Sequence, residues 1–181
     1  MKKLAILSLM CLTSILMQAQ VLTSKTISSI YDKVTTDGDP AFAYNADFAA
    51  DGTIEAMYVY QRRKDILKPL YQYQYTYTDE GLLQSRTTLC WRNGQWRTVY
   101  KLDYSLLADS YTVDYSRYSR RAHSFEAPVD RMVFQLLPNE QTSCVSFLHR
   151  EPGNADFHIT AHVTVSPFAT HGDALLAVHP Y

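Results

Sequence analysis

The sequence predicts an all-β protein, an antiparallel meander of about eight or nine strands that is curled or barrel-like, with a short N-terminal helix. Four segments of the 181 residues stack at steps of 29, 29 and 30 residues, and each begins with a turn sequence. Fourteen Tyr against seven Phe is a surplus of a residue that favours strands. After each turn comes an alternating run, typical of a half-buried strand: Tyr71, Tyr73, Tyr75, Tyr77; Tyr100, Leu102, Tyr104; Met132, Phe134, Leu136; and Ile159, Ala161, Val163, Val165.

Residues 1–19 are predicted to be a secretory signal peptide. Basic Met1-Lys2-Lys3 precedes an uncharged apolar run from Leu4 to Met17, which is too short to span a bilayer of roughly 30 Å, and Ala19 suits the cleavage site. Removing Lys2 and Lys3 with this leader leaves 15 basic and 18 acidic residues, a net charge of −3. We therefore expect an exported protein (periplasmic, cell-surface or extracellular) without a transmembrane segment, and this charge argues against nucleic acid as a partner.

The rest of the chain divides into an N-terminal segment (20–40), a β-repeat domain (41–166) and a C-terminal tail (167–181). Within the first of these, Ile27, Ile30, Tyr31 and Val34 have the spacing of one helix face, and Ser24 is suited to cap the helix. An apolar sheet face must be covered, and this helix would cover part of it.

The second repeat predicts its own hairpin. The Asn93-Gly94 pair favours a two-residue type I′ turn, which places Trp91 opposite Trp96. An unbroken register then pairs Leu89 with Thr98, Thr87 with Tyr100, Ser85 with Leu102 and Leu83 with Tyr104. It also points Arg86 and Thr88 to the opposite, solvated face.

The turn before this hairpin extends the same apolar face. Gly81 suits the left-handed position of a three-residue loop, so that Tyr77 lies opposite Leu83. The tyrosine stripe, defined as Tyr71, Tyr73, Tyr75 and Tyr77, is then predicted to share one face with the tryptophan pair. The turn at Gly52 adds further members to this face: Phe48, Ile54, Tyr58 and Tyr60.

The two cysteines that follow the leader are predicted to be separate thiols. Cys90 lies on the fourth predicted strand and Cys144 on the eighth. Four strand spacings separate them by roughly 19 Å, whereas a disulfide needs Cα atoms within about 7 Å.

The Asp-Glu-Gly-Leu type of turn, the Trp-Arg-Asn-Gly-Gln-Trp hairpin and the Tyr-x-Tyr-x-Tyr strand together resemble a known family. Its members are small exported β-repeat proteins of gut-associated Gram-negative bacteria, classed as a domain of unknown function and similar to tyrosine-aspartate repeat arrays. The resemblance covers roughly residues 44–137 and is closest over 71–104. It implies an exported compartment and antiparallel β structure, and no catalytic residues.

No metal, cofactor or catalytic residue is predicted. His158 and His162 are four residues apart on one strand, about 13 Å, and the sequence places both on the solvated face, which does not suit zinc. Asp37-Gly38-Asp39 lacks the later ligands of a calcium loop, and the common nucleophile, zinc-protease and phosphate-loop motifs are missing from the sequence.

The candidate binding residues are Trp91, Trp96 and the tyrosine stripe. Aromatic rings with polar tips can bind a glycan or a protein partner, or can line a half-buried sheet face. We expect a non-enzymatic protein that binds a surface, a glycan or a protein partner, or that assembles with a second copy of itself. The alternatives are a secreted hydrolase that uses turn carboxylates and a barrel that carries a small apolar ligand.

Overall fold

The computed structural model describes residues 21–64, 66–136, 142–151, 153–164 and 177–179. The predicted signal peptide and most of the predicted tail lie outside these residues. The described residues form one helix followed by strands: α1 (Ser24–Asp37), β1 (Phe42–Phe48), β2 (Ile54–Arg63), β3 (Ile66–Tyr77), β4 (Leu83–Arg92), β5 (Gln95–Leu106), β6 (Ser110–Ser119), β7 (Ser124–Phe125), β8 (Asp130–Leu136), β9 (Thr142–His149), β10 (His158–Thr164) and β11 (Ala177–His179).

The strands form one antiparallel sheet in nearly sequential order. β1 to β6 pair with their neighbours in the chain, β8 to β11 continue from β6, and the short β7 pairs with β6 alone. Among the described residues no pairing joins β1 to β11, so the sheet is curled and open. The predicted all-β meander is confirmed, with more strands than the eight or nine expected. No helix in the described part of the chain has the length and apolarity to cross a membrane.

Helix α1 covers one end of the sheet, as predicted. Its N-cap is Thr23 and not Ser24, because the Thr23 hydroxyl accepts a hydrogen bond from the Thr26 backbone N–H. The backbone just before the helix is tied to the sheet, since the Leu83 N–H donates to the Leu22 carbonyl. Ile27 is buried in a cluster with Leu22, Ala46, Ile54 and Leu83.

Three β-bulges correct the predicted register. Each inserts one unpaired residue, so the side chains beyond it change face. The inserted residues are Glu55 in β2, Gln84 in β4 and Val99 in β5, as the neighbouring pairs require. The two turns before the first two bulges have the same pair of hydrogen bonds: Ala49 N–H to Thr53 and Gly52 N–H to Ala49, and Thr78 N–H to Leu82 and Gly81 N–H to Thr78.

The local features of the hairpins are confirmed. Asn93 and Gly94 both have positive φ, 52° and 77°, as a type I′ turn requires. Trp91 pairs with Trp96, and Tyr77 pairs with Leu83 beside Gly81, whose φ is +78°.

The pairs beyond the bulges differ from the prediction. Leu89 still pairs with Thr98, but Tyr100 pairs with Thr88 and Leu102 pairs with Arg86. Ser85 faces Asp103 instead of Leu102. Arg86 and Thr88, expected on the solvated face, are therefore buried beside the tyrosines. Thr87 and Leu89 lie on the other face, and the Val99 bulge displaces the predicted pair of Leu83 with Tyr104.

The core of the sheet lies on the face that carries the tyrosine stripe. A second buried cluster continues it across β5, β6 and β8, with members Leu102, Tyr111, Val113, Met132 and Phe134. Tyr104 packs against both clusters. The predicted side-by-side placement of Tyr100, Leu102, Tyr104 and the stripe is therefore correct.

Candidate functional site: two aromatic faces

The sheet presents two chemically different faces around β3, β4 and β5. We name them the tyrosine face, which carries the tyrosine stripe with Tyr100 and Tyr104, and the tryptophan face, which carries Trp91 and Trp96. The predicted common face for all of these rings is wrong. Because Gln84 is inserted between the Tyr77–Leu83 pair and the Thr76–Ser85 pair, the odd-numbered residues of β4 change face after Leu83.

Most of the tyrosine stripe packs into the interior. Tyr75 and Tyr77 are partly buried against the cluster beneath α1, and the Tyr77 hydroxyl donates to the Ile54 carbonyl at 2.9 Å. Tyr73 is also partly buried, and Tyr71 is 43% exposed. Tyr71 is thus the member of the stripe that is most open to water.

Arg86 lies in the middle of the tyrosine face and is only 6% exposed. Its guanidinium carbon is 5.1 Å from the centroid of the Tyr73 ring, within cation–π range. Its Nη2 donates to the Tyr100 hydroxyl at 3.5 Å. Tyr75 and Tyr104 also face it, and we call Arg86 with these four tyrosines the arginine cage.

The arginine cage holds a buried cation without a carboxylate partner among the described residues. The guanidinium remains charged at neutral pH, and its Nε has no hydrogen-bond partner. Thr88 Oγ1 and Arg97 Nε, on the same face, also lack one. A buried charge normally requires a partner, so this cage costs the fold stability.

Burial controls the protonation of the tyrosine face. It raises the pKa of Tyr73 and of Tyr77 to about 12, and Arg86 acts in the opposite direction on Tyr73. Burial also raises the pKa of Tyr75, Tyr104 and Tyr111. Tyr73, Tyr75 and Tyr104 are therefore neutral at physiological pH and cannot supply the missing negative charge of Arg86.

The tryptophan face carries a continuous aromatic surface. The rings of Trp91 and Trp96 meet edge to face, with centroids 5.0 Å apart. The ring of Tyr58 follows, 6.0 Å from Trp96. All three side chains are partly buried, and none is in the core clusters. Tyr58 was predicted on the tyrosine face together with Tyr60, but Tyr58 pairs with Gln72 and Tyr60 with Ala43, which places both on the tryptophan face.

A hydrogen-bonded polar chain borders this aromatic surface. The Tyr58 hydroxyl donates to Asp47 Oδ2 at 2.6 Å and accepts from the Gln72 amide at 3.2 Å. The bond to Asp47 raises the pKa of Tyr58 to about 12, since ionising the hydroxyl would break it and place two negative charges together. Gln72 is 7% exposed. The tryptophan face thus combines three rings with a carboxylate and an amide.

The remaining predicted residues do not form a site. His158 pairs with His149, whereas His162 pairs with Ser146 beyond a bulge at Thr160, so the two histidines lie on opposite faces and not on one. His162 Nδ1 is 3.0 Å from the Ser146 hydroxyl. Within the described residues, no group of three or more metal-ligating side chains could hold a metal. Cys90 and Cys144 are free, and four strand steps separate them.

The arginine cage and the Asp47–Tyr58–Gln72 chain escaped sequence reasoning. Both depend on which residues a bulge inserts: Gln84 and Val99 for the cage, and Glu55 for the position of Tyr58. Glu55 and Gln84 each lie three residues after the glycine of a turn with the same hydrogen bonds, whereas no such turn precedes Val99. A buried arginine in a Gln-Ser-Arg-Thr-Thr run also has the composition of a solvated strand face.

The fold and its two aromatic faces define the chain as a small antiparallel-sheet protein with one packed helix. It belongs to a family of unknown function, DUF3836, whose model matches residues 2–136, through the end of β8. This confirms the expected membership in a domain family of unknown function. No functionally curated protein matches the chain.

Solved structures of similar proteins come from related bacteria. A protein of unknown function from Bacteroides fragilis NCTC 9343 has a TM-score of 0.60 and 18% identity, covering 70% of this chain and 92% of its own. DUF3836 family proteins from Bacteroides vulgatus ATCC 8482 and Parabacteroides distasonis ATCC 8503 have TM-scores of 0.46 and 0.47 at 15% and 16% identity. They cover 48% and 52% of this chain and 90% and 89% of their own. The first of these similarities supports the fold.

Proposed function

We propose that this protein is a non-enzymatic, exported binding module that binds a neutral glycan on the tryptophan face. The observation that carries the proposal is the surface formed by Trp91, Trp96 and Tyr58 beside Asp47 and Gln72. Aromatic rings present flat apolar area with polar tips, which suits the apolar faces of sugar rings. A carboxylate and an amide suit their hydroxyl groups.

The surroundings of this surface favour a glycan over a protein partner. Positions of β3 and β4 on the tryptophan face are largely hydroxyl and amide side chains: Gln74, Thr76, Ser85 and Thr87. The fully buried cores of protein interfaces are more apolar than this, and serine is depleted in them. Leu89, partly buried, is the aliphatic side chain of β4 on this face.

The tyrosine face is the weaker candidate for the same role. Three rings of the tyrosine stripe are packed toward the interior, so a ligand there would have to displace core contacts. The resemblance of this protein to tyrosine-aspartate repeat arrays is part of the same proposal. In such an arrangement the tyrosines build the framework and the hairpin tips bind the ligand.

Intrinsic fluorescence tests the proposal directly, because Trp91 and Trp96 are the two tryptophans of the sequence. The protein is screened against an array of neutral oligosaccharides, and the best one is titrated by fluorescence and calorimetry. Trp96→Ala should weaken binding at least tenfold, as expected for a central aromatic contact. Asp47→Asn should weaken it less.

A matched control comes from an aromatic pair at another hairpin. Tyr118 and Phe125 also meet edge to face, with centroids 5.2 Å apart, so Phe125→Ala should leave glycan affinity unchanged. Binding that survives Trp96→Ala, or an array without any bound glycan, would contradict the proposal. Capture of a bacterial protein that requires Trp96 without glycan binding would favour a protein partner.

A further inference from the structure

The turns that join β1 to β6 differ in charge from one end of the sheet to the other. Tight turns between antiparallel strands alternate from one end of a sheet to the other. The turns after β1, β3 and β5 carry exposed acidic residues: Asp51, Asp79, Glu80 and Asp109. The last residues of β2 and β4 and the turns after β2 and β6 lie at the opposite end and carry exposed basic residues: Arg62, Arg63, Lys64, Arg92, Arg120 and Arg121. Exposed acidic residues lie at this end as well: Asp39, Glu126, Asp130 and Glu151.

The β2–β3 hairpin projects furthest at the basic end. On one side, β1 pairs with β2 only as far as Gln61, and on the other, β4 pairs with β3 only from Tyr71. Residues 66–69 of β3 pair with β2 alone, and Leu70 is an inserted residue without a partner strand position. We call residues 62–64 and 66–70 the projecting hairpin; beyond the bond from the Arg62 N–H to the Ala41 carbonyl, it is a two-stranded ribbon.

The projecting hairpin combines exposed aliphatic and basic side chains. Ile66 is 70% exposed and Leu67 is 50% exposed. The stretch 62–68 holds four basic residues against one acidic residue, Asp65. Exposed aliphatics within a basic rim are typical of proteins that dock on anionic membranes, where the apolar groups enter the interface and the cations meet phosphate headgroups.

We propose that the projecting hairpin docks the protein on an anionic lipid surface. Ile66 and Leu67 enter the headgroup and acyl boundary, while Arg62, Arg63 and Lys64 pair with phosphate groups. The basic residues at the end of β4 and after β6 lie at the same end, but so do exposed Asp39, Asp130 and Glu151, so the attraction comes mainly from the cations of the hairpin itself. A soluble polyanion would engage the cations alone, so the two aliphatic side chains favour a lipid surface.

The test is co-sedimentation with vesicles of phosphatidylcholine alone and of phosphatidylcholine mixed with an equal amount of phosphatidylglycerol. The protein is purified in its processed form, with its N-terminus established by mass spectrometry, because an uncleaved apolar leader would itself bind lipid. We expect binding to the anionic vesicles that falls with added salt. The double variant Ile66→Ser, Leu67→Ser should lose about tenfold in partitioning, and Arg63→Gln with Lys64→Gln should lose on the order of tenfold.

A matched control lies at the acidic end. Leu106 and Leu107 are 44% and 62% exposed, so Leu106→Ser with Leu107→Ser removes comparable exposed aliphatic area. It should leave vesicle binding unchanged, and circular dichroism establishes that each variant is folded. Equal loss in the two aliphatic variants, equal binding to both vesicle types, or dextran sulfate binding that requires the cations without any vesicle binding would overturn the proposal.

Discussion

The two faces of the sheet use aromatic side chains for opposite purposes. On the tyrosine face, rings surround a buried arginine and pack beneath α1. On the tryptophan face, rings stay partly exposed and are bordered by hydrogen-bonded polar groups. The same residue class therefore builds the core on one side and a surface on the other, and the difference depends on neighbours and not on the rings themselves.

The largest expected difference between the two faces is in the stability that each loses at alkaline pH. A tyrosine in an unfolded chain ionises near pH 10.0, whereas the pKa of buried Tyr73 is about 12. Its contribution, up to about 3 kcal/mol, is complete below pH 10 and is lost as the pH rises from 10 to 12. Tyr75, Tyr104 and Tyr111 contribute in the same direction. Urea denaturation along this pH range should show a steep fall in the free energy of unfolding.

Tyr58 separates the two causes of a raised tyrosine pKa. Its pKa is also about 12, but the cause is its hydrogen bond to Asp47. Asp47→Asn should lower the pKa of Tyr58 and leave those of the tyrosine face unchanged in a tyrosinate absorbance titration. Ionisation of every tyrosine near pH 10 with the fold intact would contradict burial of the tyrosine face.

The same leucine-to-alanine substitution can be made on both faces, and its cost in stability can be compared. Leu102 on the tyrosine face is 3% exposed, so Leu102→Ala should cost about 3 kcal/mol, because it leaves a cavity in a packed cluster. Leu89 on the tryptophan face is partly buried, and Leu89→Ala should cost about 1 kcal/mol. Equal costs in urea denaturation would show that both faces are packed alike.

The sequence predicts the fold more completely than it predicts which residues lie on each face. Turn chemistry is local, so the positive φ values of Asn93 and Gly94 and the Trp91–Trp96 pair follow from two residues. Which face a residue occupies is cumulative along a strand, and one inserted residue reverses everything beyond it. The predicted register already placed Trp91, Trp96 and Tyr58 on one face, but it did not separate them from the tyrosine stripe, because that separation depends on the residues inserted at Glu55 and Gln84.

Removing the charge at the centre of the arginine cage should change the free energy of unfolding less, and in the opposite direction. Arg86 is buried, its Nε is unpaired and no carboxylate among the described residues neutralises it. Arg86→Met keeps the packing and removes the charge, so we expect stabilisation of about 1 kcal/mol. Arg97→Met, at a partly exposed position of the same face, should change stability little. A loss of about 2 kcal/mol in the first variant would mean that cation–π contact with Tyr73 outweighs desolvation.

The smallest expected effect is the coupling energy between the two rings of the tryptophan pair. A double-mutant cycle of Trp91→Ala and Trp96→Ala should give a coupling energy of about 0.5–1 kcal/mol, because edge-to-face contact across the strands adds to burial. The cycle of Tyr118→Ala and Phe125→Ala should give a similar value, since that pair also meets edge to face at a similar distance. Coupling above about 2 kcal/mol at the tryptophan pair would exceed the range of exposed aromatic pairs. The pair would then be part of the packed structure, and the tryptophan face would differ from the tyrosine face only in degree.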